Sequence, residues 1–127
     1  MTVKEFIQVY ENNSEYEIEV VNYIPYLQKV ELCKSLIRYT TNGELIDFEI
    51  DSSLRNVMYK MMLVDAYTEI DVDFNSVTDE FDLIEEKDLM PEILSLIPQN
   101  EIVRFDQIME CLLRDLQTSL SIRRNSK

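Results

Sequence analysis

Five oxygen-bearing side chains fall in register within DVDFNSVTDEFD, residues 71–82. Asp71, Asp73, Asn75, Asp79 and Asp82 hold the first, third, fifth, ninth and twelfth places of a twelve-residue window. A helix–loop–helix calcium loop draws its hard oxygen ligands from those places. Two other requirements go unmet. The sixth place needs a sharp turn, normally made by glycine because it lacks a Cβ, and here it is Ser76. The twelfth wants a glutamate long enough to offer both oxygens, and Asp82 is one methylene short. The same residues also read as a helix start, with Ser76 as cap and Asp79 in the positive first turn.

The surrounding stretch EIDVDFNSVTDEFDLIEEKD has Lys87 as its one cation. Asp71, Asp73, Asp79, Glu80, Asp82, Glu85 and Glu86 therefore form either a solvated face or a contact surface for a basic partner, one that imitates nucleic-acid phosphates. The whole chain has a formal charge of −13, from 25 acidic and 12 basic residues in 127. Binding nucleic acid directly requires cations that displace counterions, and an anionic membrane repels such a surface. The favoured partner is another protein, with a basic or an apolar binding surface.

Other chemistry is sparse. Histidine is absent, which removes the usual neutral-pH base, the commonest metal ligand and the Ser–His or Cys–His nucleophile pairs. No glycine-rich loop cradles a phosphate, and Cys33 and Cys111 match no zinc spacing. We expect no catalysis, no cofactor and no metal. The two cysteines are expected as buried free thiols of a cytoplasmic protein. No apolar run is long enough to span a bilayer, and the first residues lack the pattern of a signal peptide.

One glycine and three prolines in the chain argue for long helices with few tight turns. Thr2 and Glu5 form a capping box before Val3, Phe6, Ile7 and Tyr10 at helical spacing. Tyr16, Ile18 and Val20 alternate with glutamates, as do Ile46, Phe48 and Ile50 with acids, each predicting a short strand. Between them lies a helix with a stripe of Tyr26, Val30, Cys33 and Ile37, widened by Leu27 and Leu36. Asn42–Gly43 marks a turn. Leu54, Val57, Met58, Met61 and Val64 predict a central helix, its methionines serving as core filling or as a pliable groove. Val77, Phe81 and Ile84 predict another helix, and Pro91 and Pro98 bracket a short one. The last carries Ile102, Phe105, Met109, Leu112 and Leu116. Tyr23 and Tyr26, around Ile24 and Pro25, either pack the helix start or offer phenols to an interface.

The runs YIPYLQKVELCKSLI, MLVDAYTEIDVDF, FDLIEE and LIPQNEIVRFDQIMECLLRD, within residues 20 to 115, carry a resemblance. The chain resembles small, acidic, mostly helical proteins of phages and prophages of low-GC Gram-positive bacteria, from the virion-morphogenesis region where tail assembly chaperones are found. The resemblance implies no catalytic residue. It suggests a phage origin, and the leading expectation is a protein-binding assembly factor. The alternative is an inhibitor of a host defence or nucleic-acid enzyme that uses the acidic surface.

The expected architecture is mainly α, α+β at most: one domain over 1–120 with five or six helices and a small two-stranded antiparallel ribbon. A basic flexible tail over 121–127, with Arg123, Arg124 and Lys127, leaves a homo-oligomer open through contact with the acidic face of a neighbouring copy.

Overall fold

The computed structural model describes residues 1–40 and 52–125, except the side chains of Ser52 and of residues 120–125. Six α-helices form among them: α1 (Val3–Asn12), α2 (Tyr26–Thr40), α3 (Ser52–Tyr67), α4 (Val77–Glu86), α5 (Met90–Leu96) and α6 (Gln99–Asn125). A single 3₁₀ turn, Phe74–Ser76, precedes α4. The expected Asn42–Gly43 turn and the strand at Ile46, Phe48 and Ile50 lie outside the described residues.

Helix α3 is the centre, as its broad apolar circumference requires. Met61, Met62, Leu63 and Val64 are consecutive and all buried, so α3 is covered on every side at that level. It packs on α2, α4 and α5, while α2 packs on α6 and α1 on α4. Met58, Met61, Met62, Met90 and Met109 are all buried, which makes them core filling. Tyr67 meets Phe105 of α6 edge-on, with ring centres 5.9 Å apart, closing the core at the far end of α3.

The helix boundaries follow local chemistry. The Thr2–Glu5 capping box is present, with the Glu5 amide donating to Thr2 Oγ1 at 3.1 Å. Pro91 falls in the first turn of α5, where its missing N–H costs no helical bond. The chain leaves α4 through Asp88, whose φ of 55° is left-handed. The Asp88 amide donates to Glu85 O and the Leu89 amide to Ile84 O, a Schellman closure sealed by buried Leu89 against Ile84. The chain places aspartate where glycine would be usual.

The predicted ribbon does not form among the described residues. Tyr16, Ile18 and Val20 keep the alternation, half-buried between exposed Glu17 and Glu19. Their partner, however, is the short run that leaves α3, through one antiparallel bridge, Val20 to Thr68. The Val21 amide donates to Tyr67 O at 2.8 Å. Further along that run, Thr2 bridges Asp71 in parallel, with the Asp71 amide on Met1 O at 2.6 Å. Residues 68–71 thus serve as a strap holding two segments against the helices. Two isolated bridges satisfy the backbone there, and no strand is needed.

The stripe expected on α2 is turned. Lys29, Cys33, Leu36 and Thr40 are buried, whereas Tyr26 and Leu27 are exposed. Lys29 was not part of the stripe read from the sequence. Helix α6 runs on to Asn125, through the start of the stretch expected as a tail.

Candidate functional site

Lys29 is 1% exposed and Glu101 2%, and they form an ion pair at 2.9 Å between α2 and α6. Two opposite charges in a helical core are tolerated only when paired and hydrogen-bonded. Both conditions hold. Lys29 Nζ also donates to Ile24 O at 2.8 Å and faces the Tyr23 ring at 4.6 Å from its centre. Glu101 Oε1 also accepts from the Ile24 amide at 3.0 Å and from the Tyr67 hydroxyl at 2.9 Å. Burial raises the Glu101 carboxyl, but Lys29, the Ile24 amide and Tyr67 outweigh it and hold it below the usual carboxylate value. Burial and then the Glu101 carboxylate push the Tyr67 phenol well up.

Lys29 Nζ is held by Ile24 O, Glu101 Oε1 and the Tyr23 ring. What the cluster does is mechanical. It grips Ile24 at both its N–H and its C=O and so fixes residues 21–26 where they leave the bridge and start α2. Lys29 lies four and seven residues before Cys33 and Leu36, and Glu101 four and seven before Phe105 and Ile108. Two opposite charges in phase with two apolar stripes were the legible signal that sequence reasoning missed.

The fixed segment is exposed and apolar. Val21, Tyr23, Tyr26 and Leu27 are 51%, 61%, 56% and 76% exposed. Tyr26 opens onto a groove of about 530 Å³ between α2 and α6, lined also by Val30, Arg104, Ile108, Cys111 and Leu112. Tyr23 and Tyr26 are thus both exposed, and of the two Tyr26 lines the groove. Their role as packing for the helix start is confined to the Tyr23 ring over Lys29. Cys111 is exposed in this groove, contrary to the expectation of two buried thiols, because its turn of α6 faces the open seam. Cys33 is buried, and burial followed by the charge of Asp106 raises its thiol to about 12.

The acidic segment sits on other elements. Asp71 is exposed and pairs with the Met1 amino group at 3.1 Å. Asp73 caps the 3₁₀ turn, accepting from the Asn75 amide at 3.0 Å, and half-buried Glu80 accepts from the Asp73 amide at 2.7 Å. Ser76 makes no side-chain cap bond, and the cap residue is instead Asp73, with Glu80 of α4 reaching back to its amide. The 3₁₀ turn starts the helical path early, so the cap residue lies before it. Asp79, Asp82, Glu85 and Glu86 make no salt bridge among the described residues, while Lys87 turns away to Glu11 of α1 at 3.0 Å.

This geometry also bears on the calcium pattern. The last six places of the twelve-residue window are already α-helical, and Asp73 is bonded to the backbone. A calcium loop needs its ligands to converge, and no group of three acidic or cysteine side chains converges among the described residues. No helix among the described residues is long and apolar enough to cross a membrane. Set against protein-family models, curated proteins and solved structures, the chain gives no match.

Proposed function

We propose that this chain is a non-catalytic protein-binding protein whose binding surface is the groove between α2 and α6 with its exposed rim of Val21, Tyr23, Tyr26 and Leu27. One observation carries this reading: the exposed apolar residues Val21, Tyr23, Tyr26 and Leu27 flank Ile24, whose N–H and C=O are both held by a buried ion pair beside the groove. Soluble proteins seldom leave such a surface uncovered, and tyrosines are favoured at interfaces because they combine apolar area with a polar tip. A rigid rim also limits the ordering entropy lost on binding.

The occupant fitted by this groove is an apolar segment of a partner protein. In the phage setting implied by the sequence resemblance, the chain is an assembly factor that covers such a segment of a virion subunit until it is incorporated. The resemblance supports the phage role, and the groove supports the binding role. The test is recovery of the protein with its partner from lysogenic or infected cells, followed by washes of rising salt. Binding through the groove survives high salt.

A second reading draws on the outward carboxylates of α4, which lack ion-pair partners among the described residues. They suit a basic surface, as in an inhibitor of a nucleic-acid enzyme. Release of the partner as salt rises would favour that reading, because exposed charges are screened.

A further inference from the structure

A second cleft, of about 430 Å³, lies on different elements, between α1, the segment 14–18 and α5. Its floor is apolar, with Phe6, Leu89 and Ile93 all buried beneath it. One wall is the alternating segment, which contributes Tyr16, Glu17 and Ile18. The other is α5, which contributes Glu92 and the half-exposed Leu96.

Two features single this cleft out. The backbone groups of Glu17 and Ile18 make no hydrogen bond within the described chain. In an alternating segment, successive residues direct these groups to opposite edges. Val21 donates its amide to Tyr67 O, at the end of α3 where the strap begins, and Val20 bridges Thr68, so Glu19 faces the strap and Ile18 faces the other way. The edge at Ile18 is thus open to a second strand. The charge is also one-signed: Glu17 and Glu92 rim the cleft on its two walls, and no lysine or arginine lines it.

We propose that this cleft binds an extended peptide segment of a partner protein in which apolar and basic side chains alternate. The peptide would add as a strand along Ile18. Side chains in register with Tyr16 and Ile18 point to the Phe6, Leu89 and Ile93 floor. Those in register with Glu17 point outward, where opposite charges across a strand pair are favourable. The α2–α6 groove plays no part in this, and the two sites fail or stand separately.

The experiment is titration of the full chain with a blocked octapeptide of alternating valine and lysine. Its counterparts alternate serine with lysine, or valine with glutamate. The valine–lysine peptide is expected to bind at least about tenfold tighter than either. Glu17→Lys with Glu92→Lys should remove that preference, as should Ser95→Trp, which fills the cleft from α5. The Tyr26→Ser variant should leave it unchanged. Binding should also slow hydrogen exchange at the Ile18 amide. Equal binding of the serine–lysine peptide would show general attraction to an acidic protein and overturn the proposal. So would no binding of the valine–lysine peptide, or binding that ignores the Glu17 and Glu92 reversals.

Discussion

The α2–α6 seam and the 69–88 segment hold charge in opposite ways. At the seam, one lysine and one glutamate are buried together, and each is bonded to the same residue, Ile24. In the acidic segment, many carboxylates stand in solvent, and those with defined partners serve caps, the Met1 amino group and, at Glu69, the Tyr16 hydroxyl. The first arrangement fixes a surface while the second decorates one. Charge density, which draws the eye in the sequence, is therefore a poor guide to where charge governs the structure.

The largest expected effect contrasts the two regions directly. Lys29→Met or Glu101→Leu alone strands a buried charge and should destabilise the fold by about 3–5 kcal/mol. Urea unfolding measures this. The double variant should recover much of the loss, since neither charge is then left unpaired. Asp82→Asn, Glu85→Gln or Glu86→Gln should each change stability by less than about 0.5 kcal/mol. Comparable losses in the two regions would erase the distinction.

Acid titration sharpens the same contrast. The native Glu101 carboxyl lies below its ordinary value of 4.5, although burial alone would raise it. Its stabilisation is therefore complete above the ordinary value and is lost as pH falls through the lower native one. Below pH 4.5 the urea midpoint of the native chain should fall more steeply than that of the Lys29→Met, Glu101→Leu double variant.

Thiol labelling reads the openness of the seam. With its thiol raised from 9.0 to about 12, Cys33 should hold a thiolate fraction lower by on the order of a thousandfold. Iodoacetamide should modify Cys111 and leave Cys33 intact until the chain unfolds. Modification of both at similar rates would mean that the seam opens at α2.

Much of the helical plan was legible because it rests on local rules. The Thr2–Glu5 box, the central α3 and the Phe105 stripe each follow from spacing and capping. Three features were not legible, for different reasons. The strand assigned at residues 16–20 had the right period, but period does not reveal a partner, and the partner was the strap after α3. The cap at Ser76 was displaced because a 3₁₀ turn started the helix earlier. Lys29 was not singled out, since burial of a charge depends on a partner 72 positions away at Glu101. Of the site residues, Tyr23 and Tyr26 are exposed, while the contribution of α6 to the groove beside Tyr26 depends on tertiary packing that spacing does not reveal.

Smaller effects test the caps. Asp73→Ala should cost about 1 kcal/mol by freeing the Asn75 amide. Asp88→Gly should gain about 0.5–1 kcal/mol, because glycine takes the left-handed φ without a Cβ penalty. Thermal or urea unfolding measures both.

The most direct test compares two variants of the protein against its captured partner. Tyr26→Ser with Leu27→Ser alters the groove rim without touching the buried pair, and Asp79→Lys with Asp82→Lys inverts the outward face of α4. The account predicts that the partner is lost from the first variant and retained by the second, at low and high salt alike. Retention by the first together with loss from the second would contradict it.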